Sequence, residues 1–127
     1  MNRRRVLVAD DDPDILLALR IRLESAGYEV VEASDGREAI EAIRAEKPDL
    51  AILDINMPQG NAFAVLDALR EEGMANLPVI FLTADTQEKS QMKAFHRGIR
   101  HYLTKPYDPK TLLVLVDHAI SESKRAA

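Results

Sequence analysis

Four short apolar runs, each ending at a polar side chain, constrain this chain more than any other feature. Val6-Leu7-Val8-Ala9 runs into Asp10-Asp11-Asp12, Leu50-Ala51-Ile52-Leu53 into Asp54, Val79-Ile80-Phe81-Leu82 into Thr83, and Tyr102-Leu103-Thr104 into Lys105-Pro106. Short apolar runs without alternation read as strands covered on both faces, the pattern of a parallel sheet. Open α/β sheets place their ligands at the carboxyl ends of the strands, so that edge gathers Asp10, Asp11, Asp54, Thr83 and Lys105. A carboxylate such as Asp54 at the end of a buried strand needs a partner, because desolvating it alone is costly.

Helical signals fill the gaps between the runs. Asp12 can cap and Pro13 suits a first helical position, and Ile15, Leu16, Leu19 and Leu23 recur at helical spacing, which predicts a helix over about 13 to 26 with Gly27 as its stop. The segment from Tyr28 to Ala33 reads as a more polar edge strand. Asp35 and Glu38 stand at capping-box spacing before the stripe Ala39, Ile40 and Ile43, which ends before Lys47-Pro48. Gln59-Gly60-Asn61 makes a turn, and Phe63, Val65, Leu66 and Leu69 carry a third helix to Glu72 or Gly73. Asp85 and Glu88 repeat the capping spacing before a fourth helix with Met92, Phe95 and His96, closed by Gly98. Asp108-Pro109 opens the last helix, through Leu112, Val116, Ala119 and Ile120, and the small polar stretch from Ser121 to Ala127 is expected to fray.

Strand and helix therefore alternate along the whole chain, which predicts an α/β fold, a doubly wound parallel sheet of the flavodoxin-like (βα)5 type. Its strand order, 2-1-3-4-5, places the first and third strands side by side at the switch point, so Asp10, Asp11 and Asp54 meet there. With 127 residues the chain suits one domain, expected over 1–121 with a short polar tail over 122–127. Seventeen basic against 21 acidic residues give a formal charge of −4, which favours no direct contact with nucleic acid. The absence of cysteine excludes disulfides and thiol chemistry. No apolar stretch approaches a bilayer span, so the expectation is a cytoplasmic protein without membrane contact.

Three convergent carboxylates repel unless a cation sits among them or some are protonated. Oxygen-only donors favour a hard ion, and magnesium, with manganese as the substitute, leaves positions free for phosphate oxygens. Beside such an ion Asp54 can attack phosphorus and form an aspartyl phosphate, with Lys105 and the Thr83 hydroxyl reaching the phosphoryl oxygens. Each residue has an ordinary alternative: Asp12 as a helix cap, Thr83 as a strand end, Lys105 as a lysine before proline. A slow magnesium-dependent phosphohydrolase is the rival from another class, although the general acid that haloacid-dehalogenase chemistry needs two residues after the nucleophile is here Asn56. A flavin module of the same fold is disfavoured by the charge of Asp10-Asp11-Asp12 against a flavin phosphate.

Taken together, Val6 to Pro13, Leu53-Asp54-Ile55-Asn56-Met57-Pro58, Leu82-Thr83-Ala84 and Tyr102-Leu103-Thr104-Lys105-Pro106-Tyr107 resemble the receiver domains of two-component response regulators. The bacterial chemotaxis regulator is the single-domain type of that family, and the resemblance covers nearly the whole chain. It implies that Asp54 accepts a phosphoryl group from a histidine kinase or histidine phosphotransfer protein. It further implies that Asp11, Asp54 and the Asn56 carbonyl bind Mg2+ directly, that Asp10 acts mostly through water, and that Lys105-Pro106 is a cis peptide. The implied switch moves Thr83 toward the phosphoryl group and Tyr102 inward, changing the affinity of the fourth-helix, fifth-strand and fifth-helix face for an effector protein or a second copy. Asn56 and Asp85 take the positions that tune dephosphorylation in the family.

This chain departs from the family's pattern at Gln59-Gly60-Asn61-Ala62, where methionine, aspartate and glycine are usual, and at Ile99, where alanine is usual. Whether the chain is a whole regulator or the receiver portion of a larger regulator or hybrid kinase is left open by the residues themselves. Two further readings complete the expectation. The run Leu112-Leu113-Val114-Leu115-Val116 is apolar all round, so part of it faces outward or meets a partner. His96, His101 and His118 share no metal-like spacing and read as surface or helix residues.

Overall fold

The computed structural model describes residues 3–126, and side chains from 3 to 123. The elements follow in the order β1 (Arg5–Ala9), α1 (Pro13–Ser25), β2 (Glu29–Ala33), α2 (Gly36–Glu46), β3 (Leu50–Leu53), α3 (Ala62–Glu71), β4 (Val79–Thr83), α4 (Glu88–His96), β5 (His101–Thr104) and α5 (Pro109–Ala126). All strand pairs are parallel and the sheet order is β2-β1-β3-β4-β5. This is the expected doubly wound (βα)5 arrangement, with β2 and β5 as edges. No helix among the described residues is long and apolar enough to cross a membrane.

Alternate residues of the three central strands feed two cores. Val6, Val8, Leu50, Ile52, Ile80 and Leu82 face α1 and α5, where Leu19, Leu23, Leu112 and Val116 are buried against them. Leu7, Ala9, Ala51, Leu53 and Phe81 face the other helices, packing with Ile43, Phe63, Val65 and Ala94. Burial on both faces explains why these runs lack polar alternation.

Local capping chemistry holds the ends of the helices. Asp12 accepts from the Asp14 amide at 2.9 Å, Asp35 from the Glu38 amide at 2.7 Å, Asn61 from the Ala64 amide at 3.0 Å, and Asp108 from the Thr111 amide at 3.2 Å. Glu38 does not complete a capping box; its carboxylate takes the Ser34 hydroxyl instead. Asp85 does not cap α4 as its spacing suggests. Gln87 is the cap residue and makes no side-chain bond, while Asp85 accepts from the Gln87 amide at 2.9 Å and the Ser90 hydroxyl at 2.8 Å. The Asp85 carboxylate closes a tight turn onto Gln87, two residues on and just ahead of the helix, a geometry that competes with capping.

The expected polar tail is also revised. Residues 122–126 continue α5, and Glu122 meets both Arg100 and His118; Ala127 lies outside the described residues. On α4 the buried residue is Ala94, whereas Met92 and Phe95 are exposed, Phe95 at 70%. Val114 is 67% exposed between buried Leu112 and Val116, the outward part of the all-round apolar run. Gly36 has no room for a side chain. A Cβ there would come within 1.9 Å of the Gly60 carbonyl oxygen, and the Gly36 amide donates to the Pro58 carbonyl at 3.1 Å. The turn after β3, with Gln59 and Gly60 at φ +55° and +100°, is thus seated on the start of α2.

Candidate functional site

Strand register assembles the site. β1 and β3 pair Ala9 with Leu53, so the next residues, Asp10 and Asp54, leave neighbouring strands side by side. The ladder runs one step further, with the Asp10 amide donating to the Ala33 carbonyl at 3.1 Å and the Asp54 amide to the Ala9 carbonyl at 3.0 Å. β4 and β5 pair Thr83 with Thr104, and the Lys105 amide then donates to the Thr83 carbonyl at 2.9 Å. The Lys105-Pro106 peptide is cis.

The Lys105 ammonium reaches across this edge. Its Nζ donates to Asp10 Oδ2 at 2.6 Å and to Asp54 Oδ2 at 3.0 Å. Asp10 is 2% exposed and Asp54 8%, while Asp11 is exposed. The other oxygens of the two buried carboxylates accept amides, Asp10 Oδ1 from Asp12 at 3.0 Å and Asp54 Oδ1 from Asn56 at 3.3 Å. Asp12 itself serves the helix start.

Burial pushes the Asp10 carboxyl above the usual carboxylate range, against the lowering effect of Lys105 and the Asp12 amide. Burial opposes the charge of Lys105 as well, but its bonds to Asp10 and Asp54 outweigh that and its affinity for a proton rises. The same upward direction disfavours the charged Asp10 carboxylate and favours the charged ammonium, because one lysine is shared between two carboxylates and is the better compensated group. Three ionised carboxylates against one ammonium leave two negative charges over.

One carboxylate oxygen each from Asp10, Asp11 and Asp54 lies within 4.8 Å of the others. An octahedral ion with bonds of about 2.0–2.1 Å holds its oxygens roughly 3 to 4 Å apart, so the donors stand on the right scale. The all-oxygen set and the uncompensated charge fit a hard divalent cation.

Thr83 is fully buried, and its Oγ1 accepts from the Asp85 amide at 3.2 Å. Tyr102 is half-buried beside Phe81, with ring centroids 6.2 Å apart, and its hydroxyl donates to the Asp85 carbonyl at 2.5 Å. The β4–α4 turn therefore links the threonine to the tyrosine through Asp85. Ile99 is buried in the same core cluster against which Tyr102 packs.

Residues 6–117 match the family model of the response regulator receiver domain. The chain belongs to this family. The phosphoryl-dependent switch is the family's role, and its members are phosphoacceptors rather than enzymes in the usual sense. The transcriptional regulatory protein PhoP of Bacillus subtilis, named for alkaline phosphatase synthesis, is 35% identical over 124 residues, 98% of this chain and 51% of its own. Protein PilH of Pseudomonas aeruginosa is 35% identical over 118 residues, covering 92% of this chain and 98% of PilH. The chain thus spans about half the length of PhoP and nearly all of PilH. Among solved structures, a CheY-like receiver domain from Methanospirillum hungatei superposes with a TM-score of 0.91 at 27% identity, covering 99% of this chain and all of that one. The chemotaxis protein CheY4 of Vibrio cholerae gives 0.85 at 32% identity, covering 93% and 99%.

In this receiver domain the strand-end residues Asp10, Asp11, Asp54 and Lys105 come together, and Thr83 closes β4 at the same edge. Asn56 enters through its amide, and Asp85 stands away from the carboxylates in the β4–α4 turn. His96 and His118 are exposed helix residues, as expected, whereas His101 is half-buried at the start of β5. His101 and His118 face each other with ring centroids 6.0 Å apart, and His118 Nε2 lies 2.9 Å from Glu122 Oε2; only His96, against Phe95 on α4, stays apart. The spacing of His118 and Glu122, one helical turn, was legible. The approach of β5 to that turn was not.

Proposed function

We propose that this receiver domain is a phosphorylation switch in which Asp54 takes a phosphoryl group from a phosphohistidine of a sensor kinase or phosphotransfer protein. The observation that carries this reading is Lys105 bridging Asp10 and Asp54 in a buried acidic pocket with charge left over. Asp11, Asp54 and the Asn56 carbonyl would hold Mg2+, with Asp10 acting mostly through water. When bound, that ion offsets the repulsion between the carboxylates and the incoming anion.

An Asp54 oxygen forms a bond to phosphorus as the donor's phosphorus–nitrogen bond breaks, and the imidazole leaves with the electron pair. Asp54 then carries an acyl phosphate oxygen in place of a full carboxylate charge, which weakens its hold on Lys105. The ammonium turns to a phosphoryl oxygen, a charge-assisted bond with a stronger anion. Thr83 donates its hydroxyl to another, drawing the Asp85 turn with it. Tyr102, released from the Asp85 carbonyl, packs inward, and α4, β5 and α5 present a changed surface to an effector or a second copy. Asn56, two residues after Asp54, and Asp85, in the β4–α4 turn, take the positions that set how readily water hydrolyses the acyl phosphate.

Incubation with a small-molecule phosphodonor and magnesium, followed by intact mass spectrometry, is expected to show one added phosphoryl group. Asp54→Asn should abolish it. Retention of the added mass in that variant defeats the assignment of Asp54.

A further inference from the structure

A second cluster of metal-type donors lies away from the acidic pocket, at the other end of β5. His118 and Glu122 stand one turn apart on α5, and residues at that spacing share one face of a helix. His101, the first residue of β5, brings its ring to within 6.0 Å of the His118 ring at an interplanar angle of 83°. One ligand atom from each of His101, His118 and Glu122 lies within 4.8 Å of the others. Two imidazoles on one tetrahedral ion, with metal–nitrogen bonds of about 2.0–2.1 Å, hold their ring centres roughly 5 Å apart, so closure needs a movement of about 1 Å.

The surroundings suit an ion. Arg100 pairs with Glu122 Oε1, which leaves Oε2 on the side of His118. An outer partner that orients a ligating carboxylate in this way is a usual companion of metal ligands. An open groove of about 510 Å³, lined in part by Arg97, Ile99, Arg100, His101 and Glu122, gives access from solvent. A salt bridge between neighbours on the helix accounts for His118 and Glu122 alone. It does not account for the strand histidine facing them.

We propose that His101, His118 and Glu122 form a binding site for a late first-row divalent cation of the zinc, nickel or copper(II) kind. Two imidazoles and one carboxylate suit such ions and are poor ligands for magnesium, which prefers oxygen. Three protein donors leave a fourth position for water. The bound ion ties α5 to the start of β5, next to Tyr102.

The test is calorimetric titration of the intact chain with zinc chloride in excess magnesium, which keeps the acidic pocket occupied. The expected result is one zinc per chain, with affinity reduced about tenfold or more in His101→Ala, His118→Ala and Glu122→Gln, the scale on which even outer partners of metal ligands act. Asp54→Asn is expected to bind zinc as the parent does. The spectrum of the cobalt(II)-loaded chain should show the intense visible bands of tetrahedral coordination and lose them in His101→Ala. Unchanged zinc affinity in His101→Ala, loss of zinc binding in Asp54→Asn, or no zinc binding at all overturns the proposal. Circular dichroism of each variant confirms that a loss reflects ligands and not unfolding.

Discussion

The two ends of β5 carry charged clusters built on opposite principles. Past its carboxyl end, Lys105 joins Asp10 and Asp54, two carboxylates almost wholly removed from water and contributed by different strands. At its amino end, His101 meets His118 and Glu122, half-buried or exposed, with a nitrogen-rich donor set from one strand and one helix. Buried charge is stable only while a cation stays beside it, so the first cluster responds whenever its cation is displaced or recruited elsewhere. The second remains in contact with water and persists with or without a cation. Electrostatic tension is therefore concentrated at the end of the strand where phosphoryl chemistry is proposed.

Removing Lys105 is the strongest test of that contrast. Lys105→Ala leaves Asp10 and Asp54 without their ammonium and is expected to cost about 1–3 kcal/mol in magnesium-free chemical denaturation. Magnesium should restore more stability to the variant than to the parent. The same variant should still accept a phosphoryl group on Asp54 while losing the change in partner affinity; an unchanged activation-dependent affinity refutes the coupling role. Equal stability with and without Lys105 shows that the pocket is not under tension.

Next in size is the rim of the pocket. Gly36→Ala forces a methyl against the Gly60 carbonyl, and overpacking of this kind costs about 1–3 kcal/mol. Because the Pro58–Gly60 turn follows Asp54, phosphorylation should also slow. A variant as stable as its parent, with unchanged phosphorylation, shows that the turn is free to move off α2.

A smaller effect concerns the three tyrosines. Burial raises the pKa of Tyr28, Tyr102 and Tyr107 above the ordinary phenol value, with Asp117 adding to it at Tyr28 and Asp85 and Asp54 at Tyr102. A group whose proton is held more tightly in the folded state lends stability that is fully present below the unfolded phenol pKa of about 10 and is lost as pH rises through the folded value. Ultraviolet titration should show no tyrosinate at the ordinary value in the folded protein, followed by unfolding on further addition of base. Tyr102→Phe should remove one of the three late-titrating phenols and leave the rise at Tyr28 and Tyr107 in place. Smallest of all, His118→Ala in metal-free buffer should change stability by under about 0.5 kcal/mol, as expected for an exposed pair on a helix surface. A larger loss places the amino-end cluster among the supports of the fold.

The strands were legible because burial on both faces removes polar alternation, a pattern carried by the residues themselves. Asp12, Asp35 and Asp108 were legible as caps because a cap bonds an amide two or three residues away. Asp85 was not, since the same short-range chemistry also makes a turn, and only the distance from β4 to α4 selects between them. Met92 and Phe95 have the composition of a buried stripe yet face outward, because Ala94 is the α4 side chain that meets the core. The meeting of Asp10, Asp11, Asp54 and Lys105 was readable once the strand order was in hand, for strands that end in register deliver their next residues to one edge.

By itself the order of residues determined the alternation of strands and helices, the parallel sheet, and the set of polar groups at its carboxyl edge. Tertiary structure alone decided that Lys105 spans Asp10 and Asp54, that the turn at Gly60 rests on Gly36, and that His101 reaches α5. Periodicity and capping are local and leave their mark in neighbouring residues. Contacts between elements depend on how far each helix slides and turns on the sheet, a displacement of a few ångströms that no short stretch of sequence encodes.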